Sequence, residues 1–240
     1  MNEVLNTSTE AKINQVKAEV EKLLGDEATG HGVDHVLRVY DLAMGLAEAE
    51  GADPEIVALA ALLHDVDDHK IFGRESAENL TNAQAIMAKA DIDATERETI
   101  SMIIKNMGYN KFLDGIRPTA LEGKVVSDAD MCDGMGAVGI IRVHEFGAAS
   151  GRKFFDPEVL PIEDIDSEQY FKVGSSTTIG HYFEKLLRLK GLMLTDAGRK
   201  EAETRHQIMV DFLREFFREE NQPAWSEYLE RYLANLEGVK

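Results

Sequence analysis

Cysteine, proline, tryptophan and positive charge are all scarce in this chain. Among its 240 residues there is one cysteine, Cys132, so no internal disulfide can form and a reducing compartment suits it. Lysine and arginine number 26 against 44 aspartates and glutamates, a formal net charge of −18. Such a surface repels phosphate backbones and anionic lipid, which excludes nonspecific nucleic-acid binding and membrane docking by charge. Long apolar runs are missing as well: the longest, Ile56 to Leu63, falls far short of the roughly 20 residues needed to cross a bilayer. Met1 to Glu10 is polar and has no signal-peptide core, so a cytoplasmic location is expected. Internal repeats, low-complexity tracts and β-rich stretches are also lacking.

What remains reads at helical period almost throughout. Thr7 with Glu10 forms a capping-box pattern, and Ile13, Val16, Val20, Leu23 and Leu24 make an apolar stripe behind it. The segment 25–32 is a polar, glycine-containing stop. A second helix is expected over 33–50, where His35, Val39, Leu42 and Leu46 share one stripe. Asp53 and Pro54 read as N-cap and first helical position of a third helix, 54 to about 65. That helix is apolar on all sides, hence central, with His64 and Asp65 emerging at its C-terminal end. Further helices are expected near 76–89, 94–105, 120–130 and 133–145, then 178–190, 195–219 and 223–236. The stretch 146–176 carries Pro157, Pro161 and no clear period, which marks a long loop or lid. The expectation is an all-α single domain: a core over about 8–145, the loop, and C-terminal helices over about 177–238.

Four residues stand out chemically: His35, the adjacent His64 and Asp65, and Asp130. A histidine on an apolar stripe is often a hydrogen-bonded core residue. His64-Asp65 is harder to read that way, because acids at a helix C-terminus oppose the helix dipole, and Asp67 and Asp68 follow. A divalent cation would supply the missing positive charge. Asp128 and Asp130 point about 200° apart if helical, so one of them faces the site. Val126 and Ala137 share the face of Asp130, which leaves Asp128 as a supporting or capping residue. Two imidazoles and two carboxylates suit a water-accessible divalent ion, and such an ion suits phosphoester or phosphoanhydride hydrolysis. Gly134-Met135-Gly136-Ala137-Val138-Gly139 matches the dinucleotide-binding fingerprint G-x-G-x-x-G, but no strand–helix alternation surrounds it. Small residues allowing close helix approach account for it better.

The set resembles the H…HD…D signature of the HD-domain superfamily of metal-dependent phosphohydrolases. His31-Gly32-Val33-Asp34-His35 looks like its first motif, and Ala60-Ala61-Leu62-Leu63-His64-Asp65 like its second. Ser127-Asp128-Ala129-Asp130 followed by Gly136 to Arg142 is similar to the third in a branch of small bacterial single-domain hydrolases that includes nucleotide pyrophosphohydrolases. His181 to Leu187 and Arg205 extend the likeness toward the C-terminus. Relatives usually carry Arg-Leu where this chain has Met131-Cys132. The resemblance implies that His35, His64, Asp65 and Asp130 hold one divalent ion, with Mn²⁺, Mg²⁺ or Fe²⁺ as candidates. It implies a phosphorylated small molecule, a nucleotide in the first instance, as substrate. A (deoxy)nucleoside triphosphate cleaved to monophosphate and pyrophosphate is the leading reading, a nucleotide phosphomonoesterase or a non-catalytic nucleotide sensor the alternative.

Around that centre, Asp68 is the candidate for taking the proton of water, or else an acid in a turn. Arg38, one turn after His35, can hold phosphate in a fork or pair with a carboxylate. Lys105, Lys111, Arg142 and Lys185 are weaker phosphate candidates. His31 and Asp34 are placed to orient the first ligand, since metal-bound imidazoles donate their second N–H to a partner.

Overall fold

Asp53 accepts hydrogen bonds from the backbone N–H groups of Glu55 and Ile56, and Pro54 pre-sets the first turn, so a helix starts at Pro54. This helix, α3 (Pro54–Leu63), organises the first unit of the protein. The computed structural model describes residues 7–25, 32–162 and 176–238, and among these every regular element is helical. The chain divides into two compact units, Met1–Asp133 with Leu194–Gly198, and Gly134–Met193 with Arg199–Lys240.

In the first unit α3 packs against α1 (Thr7–Leu24), α2 (Val33–Glu50), α6 (Ala94–Asn106) and α8 (Leu121–Asp133). Every residue from Val57 to Leu63 is buried, as an all-round apolar helix requires. Leu59, Leu62 and Leu63 are fully buried, each worth about 1.5–3 kcal/mol of transfer free energy. Between α3 and α6 run α4 (His69–Asn79) and α5 (Thr81–Lys89), and α7 (Tyr109–Leu113) follows α6. The single helix expected over 76–89 is two, because Leu80 adopts the left-handed conformation at φ 53° and ends α4. Buried Asp67 accepts from Ser76 Oγ, Asn82 N and Ala83 N and so ties the turn after α3 to the start of α5.

The second unit comprises α9 (Gly136–Ala149), an irregular stretch to 162, α10 (Gly180–Glu184), a 3₁₀ segment Leu186–Leu192, α11 (Asp196–Glu219, from Arg199 on) and α12 (Pro223–Gly238). Its core is aromatic: Phe183 contacts Phe217, Trp225, Tyr228 and Tyr232. Two expectations are corrected here. Residues 146–149 belong to α9, not to the long loop. The helix expected over 178–190 is a short α-turn followed by 3₁₀ backbone, broken where Lys185 takes φ −140° and ψ −60°. Part of the expected loop, 163–175, lies outside the described residues.

The G-x-G-x-x-G glycines sit at the turn into α9. Gly136 has φ +68°, and a Cβ there would stand 3.1 Å from the Arg205 side chain of α11. A Cβ at Gly139 would stand 2.3 Å from the carbonyl oxygen of Gly134. Turn geometry and close helix approach explain the pattern, and no strand precedes it among the described residues.

Candidate metal centre

Three segments of the first unit deliver the site. Buried His35 sits in the first turn of α2, on the face that also buries Val39, Ala43 and Leu46. His64 caps the C-terminus of α3, and Asp65 follows where the chain leaves the helix. Asp130 projects from α8, whose neighbours Val126 and Ala129 are core residues.

The functional atoms meet at one point. Ligand atoms of His35, His64 and Asp130 all lie within 4.8 Å of one another. His35 Nε2 is 3.3 Å from His64 Nε2 and 3.4 Å from both Asp65 Oδ2 and Asp130 Oδ1. His64 Nε2 is 3.7 Å from Asp65 Oδ2 and 3.8 Å from Asp130 Oδ1. Atoms sharing an octahedral ion at about 2.1 Å are spaced between about 3.0 and 4.2 Å, so these separations fit a common cation.

Hydrogen bonding on the far sides of the rings sharpens the case. His64 Nδ1 donates to the carbonyl oxygen of Ala61 at 2.8 Å, and His35 Nδ1 donates to Asp133 Oδ2 at 2.7 Å. A neutral imidazole that donates from Nδ1 has a bare lone pair on Nε2. Two such lone pairs therefore face each other beside two carboxylates, an arrangement that repels itself until a cation enters. Removal from water is the largest influence on the Asp130 carboxyl and pushes it up. With the rings protonated instead, the hydrogen bond from His35 and the charges of His64 and His35 outweigh that and hold it below its ordinary range.

Asp133 escaped the sequence reading. It was placed at the start of the following helix, where acids are common; instead α8 runs through it and ends there. It lies three residues after Asp130, hence on a neighbouring part of the same face, and that spacing is the signal that could have revealed it. Its buried carboxylate also receives a fork from Arg38, Nε to Oδ1 at 2.8 Å and Nη2 to Oδ2 at 3.1 Å. Asp65, Asp130 and Asp133 against Arg38 leave two net negative charges, which one divalent ion cancels.

The remaining expected residues are distributed more widely. Asp34 is exposed, and the bond that orients His35 comes from Asp133 instead. His31 lies outside the described residues. Asp128 is fully buried and holds Leu194 N, Thr195 N and Thr195 Oγ1, a capping role for the segment 194–198. Asp68 caps α4 through Lys70 N, and its side chain is 13% exposed. Lys105 and Lys111 are exposed on the first unit, whereas Arg142 and Lys185 are half-buried in the second. Met131 and Cys132, the departure from the usual Arg-Leu, are both buried.

Comparison with known proteins agrees with this geometry. Residues 32–135 match the HD domain family model. The chain is 34% identical over 202 residues to YpgQ of Bacillus subtilis, covering 84% of this chain and 90% of that protein. A Lactobacillus plantarum structure superposes with a TM-score of 0.77 at 33% identity, over 88% of this chain and 98% of that one. The structure of Bacillus subtilis YpgQ in complex with ADP does so at 0.66 and 32%, over 86% and 97%. An HD-superfamily hydrolase from Bacillus thuringiensis does so at 0.69 and 32%, over 89% and 98%. On its helical fold, its converging histidines and aspartates and these likenesses, the chain belongs to the HD-domain superfamily.

Proposed function

We propose that the protein is a metal-dependent phosphohydrolase that cleaves (deoxy)nucleoside triphosphates to monophosphate and pyrophosphate. The observation that carries this reading is the meeting of His35 Nε2, His64 Nε2, Asp65 and Asp130 in a donor set of two nitrogens and two carboxylates. Four protein ligands leave about two places of an octahedral ion open, which is the arrangement of a working site and not of a closed structural one. A divalent ion held there supplies Lewis acidity to a phosphate oxygen and acidity to water. Mn²⁺ and Fe²⁺ suit the mixed nitrogen and oxygen donors better than Mg²⁺, which prefers oxygen. A nucleotide substrate is supported by the ADP bound in the YpgQ structure.

In this reading the oxygen of water bonds to the α-phosphorus and the α–β bridging P–O bond breaks. Pyrophosphate leaves, and the proton passes to Asp68, which stands four residues beyond His64 with one carboxylate oxygen bonded to Lys70 N. The excess negative charge of the chain disfavours polynucleotide substrates, and the solitary buried Cys132 suits a reducing, cytoplasmic setting. The test is a panel of nucleotides and phosphoesters with Mn²⁺, Mg²⁺, Co²⁺ and Ni²⁺, with phosphate and pyrophosphate followed separately. Pyrophosphate release that falls at least 100-fold in Asp65→Ala is expected. Wild-type turnover in that variant would remove the proposal, and phosphate release alone would favour a phosphomonoesterase.

A further inference from the structure

The fork from Arg38 to Asp133 raises a question that the ligand set leaves open: what selects the nitrogen of His35 that faces the ion? An imidazole presents a lone pair from one nitrogen only, and the partner of the other nitrogen decides which. On α3 the choice for His64 is made by a backbone carbonyl, that of Ala61. For His35 it is made by the side chain of Asp133, whose Oδ2 takes the Nδ1 proton at 2.7 Å. A carboxylate on a buried aspartate can swing between rotamers, and a carbonyl fixed in a helix cannot. Arg38 removes that freedom, since its two N–H groups grip both oxygens of Asp133 in the planar fork that guanidinium and carboxylate favour.

Resting on the metal-centre reading above, we infer that Asp133 and Arg38 are a positioning pair for His35. Asp133 fixes the ring as the Nδ1–H tautomer, and Arg38 holds Asp133 in place and balances its charge. Arg38 is thereby a residue of the metal site and not the clamp for substrate phosphate. Three features support this. Asp133 is buried, with a side chain 3% exposed, so its charge needs a fixed partner. The fork spans α2 and α8, the helices that carry His35 and Asp130, and so sets the spacing of the ligands themselves. Two of the five Arg38 N–H donors, on Nε and Nη2, are engaged with Asp133 in the planar fork.

The test measures the full chain without relying on turnover. Mn²⁺ affinity is read by titration calorimetry after chelator treatment, for the native protein, Asp133→Ala, Asp133→Asn, Arg38→Ala and the double alanine variant. The His35 tautomer is read in the metal-free protein by ¹H–¹⁵N correlation above the histidine range. Asp133→Ala should bind Mn²⁺ about 10- to 100-fold more weakly, with the ring proton redistributed toward Nε2. Asp133→Asn, which keeps an oxygen for the Nδ1 proton, should recover part of the loss and carries the test if the alanine variant does not fold. Arg38→Ala should weaken Mn²⁺ binding as well, and should add nothing once Asp133 is gone, because the two act through one bond. Arg38→Ala with native Mn²⁺ affinity and lost nucleotide affinity would restore the phosphate clamp and overturn the inference. An unchanged tautomer in both Asp133 variants would overturn it too. Failure of the native chain to take up Mn²⁺ would sink the hydrolase reading and this inference together, whereas native-like uptake by every variant would sink this inference alone.

Discussion

Two aspartates two positions apart on α8 divide the labour at the scale of single residues. Asp130 meets the histidines, while fully buried Asp128 gathers donors from Leu194 and Thr195. Helical geometry sends them to different faces, so substitution should separate their roles. Asp128→Ala strands two backbone N–H groups and a hydroxyl, each unsatisfied group costing about 1–3 kcal/mol. A loss of roughly 3 kcal/mol in denaturant unfolding is expected, with Mn²⁺ affinity per folded molecule retained. Asp130→Ala should do the reverse: chelated protein stays near native stability, and Mn²⁺ binding falls by at least 100-fold in calorimetry. Ala137, expected on the face of Asp130, lies on α9 beyond the end of α8, but that the two aspartates face apart could be read from the sequence by helix periodicity. The partner of His35 could not, because the contact joins residues 98 positions apart and many aspartates compete for the part.

At the scale of elements, starts and stops written in local chemistry were readable. The limits expected for α2, 33–50, match the structure, as do the Asp53 cap and Pro54 of α3. The break at Leu80 and the 3₁₀ segment after α10 were not readable. A leucine at positive φ carries no turn signature, and Leu186 to Lys190, ahead of Gly191, has the composition of a good α-helix. Tertiary packing decides such places. The cap at α6 gives a pH prediction. The hydrogen bond from the backbone N–H of Glu96 is the largest influence on the Asp93 carboxyl; burial opposes it, the N–H of Thr95 adds to it, and the net effect holds the group below its ordinary range. A carboxyl lower in the folded state stabilises above its unfolded value and loses that contribution as pH falls through its folded value. Protection factors at Thr95 and Glu96, taken relative to the intrinsic exchange rate at each pH, should therefore fall on acidification below about pH 4, and Asp93→Ala should show the reduced protection already at neutral pH. Exchange in Asp93→Ala that matches native protein at neutral pH would refute this role.

For the molecule as a whole, the all-α class was expected from patterning, because nearly every long segment reads at helical period. The aromatic assembly of the second unit was not foreseeable, since Phe155, Phe183, Phe217 and Trp225 come from distant segments with no common period. A whole-molecule prediction concerns the ion. Cation at 100 times its dissociation constant stabilises the native state by about 2.7 kcal/mol, equivalent to roughly 5–10 °C in Tm for a chain of this size. Thermal unfolding with Mn²⁺ against chelator should show that rise, and Asp65→Ala should abolish it. Circular dichroism at room temperature should barely differ between the two conditions. The reason lies in the turn at His64, whose ring is already pinned by the carbonyl three residues earlier. A cup whose walls stand without their contents can be emptied and refilled many times over.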